Sequence, residues 1–135
     1  SDYFYNRGLF RNQSKDYDAA ILDFDVSIEL NTGYSNVDPR HAKPFVGRGI
    51  AYVQMPFGVE RHGVPGFGPE HALVDAGKAL ELLEQRFNTP EWDYYKSTIN
   101  LQLSDVHELL GDTYSALDRP EEAQNEYEQS LKYRK

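Results

Sequence analysis

Apolar residues recur along most of the chain at steps of three and four positions, which is the period of an amphipathic α-helix. Proline lies at or near the first turn of four predicted helices, where a missing N–H costs no hydrogen bond. The pattern predicts an all-α fold with helices over residues 2–14, 16–31, 44–55, 69–87, 90–117 and 120–133.

The fifth predicted helix carries the longest apolar series. Its members share one helical face and are Trp92, Tyr95, Ile99, Leu103, Val106, Leu110, Tyr114 and Leu117. The pattern alone leaves open whether this helix is continuous through Ser104. The Gly- and Pro-rich stretch PFGVERHGVPGFGP at 56–69 cannot continue a helix, so we expect a long loop between the third and fourth helices.

Three segments share one arrangement of bulky and small residues. A bulky residue is followed by Gly four positions later, and a second helix then carries Ala and, four positions on, a further slot that is usually aromatic. These slots hold Phe4, Gly8, Ala20 and Phe24, then Phe45, Gly49, Ala72 and Ala76, and finally His107, Gly111, Ala123 and Tyr127. The interval from Gly to Ala is twelve in the first and third segments and 23 in the second, which therefore contains an insertion of about eleven residues.

This arrangement resembles the tetratricopeptide repeat, a helix hairpin in which small residues stand where the two helices touch. The stretch RNQSKDYDAAILDFDVSIELN is especially similar to the family's typical sequence. The resemblance covers nearly the whole chain and implies a right-handed superhelical array of three hairpins. It predicts a single domain over 1–135, with repeat one at about 1–34, repeat two at about 42–87 including the inserted loop 56–69, and repeat three at about 90–135 with an extended first helix.

The chain departs from the family's pattern at four positions. Arg7 and Arg48 stand where an apolar residue usually precedes Gly. Ala76 stands where an aromatic residue is usual, and Thr32 replaces the closing Pro. These departures concern the regularity of packing and leave the resemblance to the family intact.

The resemblance also implies a binding site. Arrays of this kind hold partner segments in a concave groove that is lined by the first helix of each repeat. The predicted groove residues are Tyr5, Leu9, Asn12, Lys43, Val46, Ile50, Val53, Glu108 and Asp112, with Asp105 beside the last two. The groove is thus predicted to grade from apolar and aromatic to acidic, which favours an amphipathic partner segment carrying Lys or Arg.

One subclass of the family grips the acidic C-terminal tail of heat-shock chaperones with a clamp of Lys, Asn and Arg side chains. The five clamp slots hold Tyr5, Leu9, Gly47, Asp105 and Leu109 in this chain. None of them matches, and an acidic Asp105 would repel a carboxylate. We therefore expect an array without the carboxylate clamp. The expected role of the array is that of a scaffold or adaptor for another protein and not that of an enzyme.

Composition narrows the classes of partner. The 135 residues carry a net charge of −8, and the basic residues are scattered among acidic ones, so nucleic acid is not an expected partner. No apolar run approaches the roughly 18 residues that cross a bilayer, and membrane insertion is not expected. The absence of cysteine excludes disulfides and thiolate zinc sites. The chain begins at Ser1, as a processed or excised piece would, and nothing in it indicates a compartment beyond a default cytoplasmic location.

Other roles remain as alternatives to the groove. The aromatic segment 90–103 could pair two copies of the chain in a homodimer. His62 and His71 could hold a metal or support an enzymatic role with the segment 56–71, although solvated loop polarity is the favoured interpretation and no zinc motif or cofactor site is present. His107 falls in the bulky core slot of repeat three, so we expect a packed, hydrogen-bonded imidazole there. Carboxylate pairs such as Asp23 and Asp25 have the spacing of solvent-exposed helix faces and nominate no catalytic site.

Overall fold

The computed structural model describes residues 2–31, 39–55, 68–87 and 90–134. These residues form α1 (Asp2–Gln13), α2 (Tyr17–Asn31), α3 (Lys43–Gln54), α4 (Gly68–Phe87), α5 (Lys96–Ala116) and α6 (Pro120–Arg134). Short 3₁₀ helices over Pro39–Ala42 and Pro90–Tyr95 precede α3 and α5. Within the described ranges there is no strand, which confirms the all-α fold class.

The helices pack in chain order, each against the next. In addition, α1 contacts α3 and α3 contacts α5, so the first helices of the three pairs lie side by side in one layer. The second helices α2, α4 and α6 pack behind them. This is the layout of a stacked array of helix hairpins, and a right-handed superhelical path for it stays a prediction of the resemblance.

Two of the three hairpins close with the same turn. Lys15 after α1 has a φ of 64°, and Asp118 after α5 has a φ of 61°. The following N–H in each turn donates to a carbonyl five residues earlier, from Asp16 to Arg11 and from Arg119 to Tyr114, both at 2.8 Å. This is the hydrogen bond of a Schellman motif, which satisfies carbonyls at a helix C-terminus. The first and third hairpins therefore share local geometry as well as sequence spacing.

The core between the first two hairpins is built around Phe24, which is fully buried. A Cβ built on Gly8 of α1 would lie 2.7 Å from Phe24 Cε1, and one built on Gly47 of α3 would lie 2.5 Å from Phe24 Cζ. In the third hairpin, a Cβ on Gly111 would lie 2.5 Å from Tyr127 Cε1. Glycine is thus present where an aromatic ring of the second helix packs directly on the backbone of the first.

A second cluster of buried residues joins α4 and α5. Its members are Ala42, Ala76, Ala79, Leu83, Ile99, Leu103, Val106, Leu109 and Leu110. The α5 positions follow the predicted helical face from Ile99 onwards. α5 is continuous through Ser104. The Ser104 side chain is buried, and its Oγ is hydrogen-bonded to Ser130 Oγ of α6 over 2.9 Å.

One sequence prediction about a helix end is wrong. The fifth α-helix begins at Lys96 and not at residue 90, because Pro90–Tyr95 adopt a 3₁₀ turn. The tighter 3₁₀ winding breaks the predicted α-helical face, and Tyr95 is 39% exposed. The fourth helix begins at Gly68, one residue before its predicted start, so Pro69 belongs to α4 and not to the predicted loop 56–69. Residues 56–67 of that loop, with His62, lie outside the described residues.

Candidate functional site

A groove of about 420 Å³ lies between the first helices of the three hairpins. It is lined from α1 by Tyr5 and Leu9, from α3 by Lys43, Val46, Gly47, Ile50 and Gln54, and from α5 by Gln102, Asp105, Glu108, Leu109 and Asp112. Its volume falls within the range of about 300–1,000 Å³ that is common for binding sites. The layer of α1, α3 and α5 therefore forms a concave surface that can receive side chains of a partner.

Most of the groove residues predicted from the sequence lie together on this surface. Asn12 and Val53 are placed differently. The Asn12 amide donates to the carbonyl of Gly47 over 3.0 Å, so it joins α1 to α3 beside the groove. Val53 packs against the core cluster of α4 and α5 and is not among the residues that line the groove. That the grooved surface binds a partner is still a prediction.

Sequence reasoning missed two polar residues of the groove, Gln54 and Gln102. Gln102 is 8% exposed, and its Oε1 is buried without a hydrogen-bond partner in the described part of the chain. A signal was available, because Gln102 precedes Asp105 by three residues and so shares its helical face.

The apolar side of the groove rests on the core. The Tyr5 ring lies 6.0 Å from the Phe24 ring, centroid to centroid, and Leu9 packs against the same cluster. Val46 and Ile50 pack against the second cluster. Burial, and then the charge of Asp105, raise the pKa of the Tyr5 hydroxyl above its ordinary value. These side chains are half-buried, so each contributes both to the fold and to the groove surface.

Carboxylates line the opposite side of the groove along α5. Burial raises the pKa of Asp105, an effect that the Arg134 charge opposes and the Glu108 charge reinforces. Asp112 accepts a hydrogen bond of 2.6 Å from the Tyr127 hydroxyl. The α5 side of the groove thus has a concentrated negative potential, which attracts cationic groups.

Both arginines that depart from the family's pattern are paired with buried carboxylates. Arg7 donates to Asp23 over 2.8 Å, and the side chain of Asp23 is 3% exposed. Arg48 donates to Asp75 over 2.7 and 2.9 Å and to Asp25 over 2.7 Å. The sequence carried a signal for these pairs, since each arginine precedes the core glycine and Asp23 and Asp75 directly precede the Phe24 and Ala76 slots.

Arg48 joins three helices, because its partners lie on α2 and α4. Burial by itself would lower the pKa of Arg48, but the hydrogen bonds to Asp75 and Asp25 reverse this and raise it. For Asp75, burial outweighs the attraction of Arg48 and raises the pKa of the carboxyl. The desolvation of both charges therefore offsets much of their attraction, as is usual for buried ion pairs.

The histidines in the described ranges do not converge on a metal site. Residues 2–31, 39–55, 68–87 and 90–134 contain no group of three or more His, Cys, Asp or Glu side chains arranged to hold a metal. His107 lies 3.4 Å from Glu126 and stacks on Tyr133 at 5.5 Å, which confirms its packed role. His71 lies 4.9 Å from the Tyr52 ring. Among the described helices, none has the length and apolar character needed to cross a membrane.

Comparison with known protein families relates the third hairpin to a repeat family. Residues 104–135 match a family model described as tetratricopeptide repeat. Neither the curated proteins nor the solved structures gave a match to the chain. The matched segment includes most of α5 and all described residues of α6, and it carries the carboxylates Asp105, Glu108 and Asp112 of the groove.

Proposed function

We propose that this chain, whose residues 104–135 match a tetratricopeptide repeat model, binds a segment of another protein in the groove between α1, α3 and α5. The family supports an interaction module in general terms. In our proposal the bound segment is amphipathic, with apolar side chains on the α1 and α3 side and Lys or Arg on the α5 side. The chain acts as a scaffold or adaptor, without catalysis and without a nucleic acid partner.

The observation that carries this proposal is the division of one groove into an apolar half and an acidic half. Val46 and Ile50 offer apolar surface, whereas Asp105, Glu108 and Asp112 offer carboxylates. An extended peptide or a helix that follows the groove would meet both halves in turn. The net charge of −8 adds a long-range attraction for basic segments, which raises the rate of encounter.

The same division supports an array without the carboxylate clamp. Two clamp positions at the groove, Gly47 and Leu109, offer no charged or hydrogen-bonding side chain. A third, Asp105, carries a negative charge and lies one turn from Glu108. A ligand that ends in a carboxylate would lose its hydration and meet like charges, so an acidic tail is a poor occupant.

Selection from a random twelve-residue peptide library on immobilised protein tests the proposal. We expect enriched peptides to combine Leu, Ile or Phe with Arg or Lys. The Asp105→Lys protein should no longer bind these peptides, because the substitution reverses a charge in the groove. Glu122→Lys makes the same charge change on α6, where the Glu122 side chain is 52% exposed and outside the groove. The Glu122→Lys protein should therefore still bind the peptides. Peptides that bind the Asp105→Lys protein as well as wild type, or that are acidic, would refute the proposal.

Self-association is a second candidate, favoured by exposed apolar side chains at the start of the third hairpin. Tyr94 is 90% exposed and Leu101 is 60% exposed. Sedimentation at two concentrations tests whether wild type forms a dimer that Tyr94→Ser with Leu101→Ser abolishes. A monomer at both concentrations would eliminate this candidate.

A further inference from the structure

The acidic half of the groove contains a buried acceptor that lacks a donor. Gln102 lines the groove and is 8% exposed, and its buried Oε1 has no hydrogen-bond partner in the described part of the chain. Asp105 and Glu108 lie within two turns of it on the same helix. Buried polar atoms are almost always hydrogen-bonded, so an orphaned oxygen at a groove indicates a place for a donor from outside.

The protein's own Arg134 shows which kind of group the neighbouring carboxylates accept. Its Nη2 donates to Glu108 over 2.7 Å and lies 3.9 Å from Asp105. Its Nε donates to Ser104 Oγ over 2.7 Å, so this α6 side chain is also anchored on α5. The side chains of Arg134 and Glu108 are each 50% exposed, so this contact can exchange with a competing cation.

We propose that Gln102, Asp105 and Glu108 form a subsite for an arginine side chain of the bound segment. The guanidinium would donate to the two carboxylates and, once the Gln102 amide turns its oxygen towards the groove, to Gln102 Oε1. Arginine fits better than lysine because its five N–H donors diverge in a planar fork and can reach several acceptors at once. This inference rests on the proposed function and adds to it the identity of the cationic residue.

Arg134 then competes with the partner for the subsite. In the free protein it neutralises part of the charge of Glu108 and Asp105, and a partner arginine must share or displace it. Removal of the Arg134 charge should therefore strengthen the binding of an external guanidinium.

A titration of the protein with N-acetyl-arginine amide, monitored by NMR, tests the subsite directly. N-acetyl-lysine amide and N-acetyl-citrulline amide serve as matched probes, since citrulline keeps the shape of arginine without its charge. We expect arginine to shift the Gln102 side-chain amide and the backbone amides of Asp105 and Glu108, lysine to do so more weakly, and citrulline to leave them unchanged.

Three variants complete the test. Gln102→Met should lower the affinity for the arginine probe by about tenfold, which is a usual effect of losing one hydrogen bond to a charged group. It should not lower the melting temperature, because the replaced oxygen has no partner in the free protein. Glu108→Gln, at a half-exposed position, should also weaken binding, and Arg134→Gln should strengthen it several-fold.

Equal binding of arginine and citrulline would overturn the subsite, as would an affinity unchanged by both Gln102→Met and Glu108→Gln. This failure differs from failure of the proposed function. If library peptides still depend on Asp105 but do not require arginine, the groove binds partners and only the arginine subsite is wrong. If no peptide depends on Asp105, the groove itself is not the site.

Discussion

Leu109 of α5 packs on Gly49 of α3, where a Cβ built on the glycine would lie 2.7 Å from Leu109 Cδ2. In the first hairpin the corresponding space beside Gly8 holds the ring of Phe24. Repeat two has Ala76 in the slot of Phe24, and the leucine of the next helix fills the space that the missing aromatic ring leaves. In repeat two, a side chain from the neighbouring hairpin thus fills the space that a side chain of the same hairpin fills in repeat one.

The two junctions between hairpins use opposite size combinations. Between hairpins one and two, a large Phe24 meets a small Gly47, and between hairpins two and three, a small Ala76 is matched by a large Leu109. Gly47 and Leu109 precede Gly49 and Gly111 by two residues, so they are equivalent positions. A large side chain thus meets a small one at each junction, as close packing of the interior requires.

At the second junction, an exchange of the large and the small side chain should therefore be tolerated only if both residues are changed together. Ala76→Phe alone should be strongly destabilising, because Leu109 already occupies the space for a ring. Leu109→Gly alone should cost about 3–5 kcal/mol through a cavity and glycine's helix penalty. The double variant should be more stable than the sum of the two effects predicts, by roughly 1–3 kcal/mol. Urea unfolding of all four proteins measures this coupling, and strict additivity would mean that the two side chains do not share the space.

The glycines predict opposite effects of one substitution at two helical sites. Gly47→Ala should destabilise the protein by about 1–3 kcal/mol, because the new Cβ would meet the Phe24 ring at 2.5 Å and Gly8 confines that ring from the other side. Gly77→Ala in α4 is the matched control, since nothing lies within 4 Å of its Cβ position. It should stabilise the protein by about 0.5–1 kcal/mol through helix propensity. Thermal and urea unfolding of both variants measure the difference, and a gain in stability for Gly47→Ala would contradict the packing of Phe24.

The hydrophobic pattern was sufficient to predict the helices, because each buries one face along its length. Helix ends agreed within two residues except at residue 90, where a 3₁₀ turn replaces the start of an α-helix. The groove could be outlined because the family's first helices define it. The partners of Arg7 and Arg48 and the burial of Gln102 depend on distances between helices, and periodicity within one helix carries no such distance. Tyr5, chosen as a groove residue, also packs on Phe24, so its removal would test the fold together with binding.

Loss of Arg48 should destabilise the protein much more than loss of Arg7. Arg48→Met leaves the Asp75 carboxylate, 4% exposed, without its bidentate partner, which should cost about 3–5 kcal/mol. Arg7→Met should have a smaller effect, since Arg11 also lies 3.3 Å from Asp23 and can hold its charge. Adding Asp75→Leu to Arg48→Met should restore most of the loss, because the buried charge is then removed. Chemical denaturation tests the series, and equal losses for the two single variants would contradict the role assigned to Arg11.

The hydrogen bond from Tyr127 to Asp112 predicts a change in stability at alkaline pH. The bond, burial and the nearby negative charges raise the pKa of Tyr127 from 10.0 to about 12. Because the folded-state pKa is the higher one, the stabilisation is fully present below pH 10 and is lost as the pH rises from 10 towards 12. The difference in unfolding free energy between wild type and Tyr127→Phe should therefore be constant up to pH 10 and shrink above it.

Absorbance of the phenolate at 295 nm provides the second measurement. The difference between the titrations of wild type and Tyr127→Phe isolates this one hydroxyl among the ten tyrosines. Asp112→Asn keeps an oxygen acceptor at the same place but removes its charge, so the isolated titration should move to lower pH. A titration that Asp112→Asn leaves in place would show that the carboxylate of the groove does not hold the Tyr127 proton.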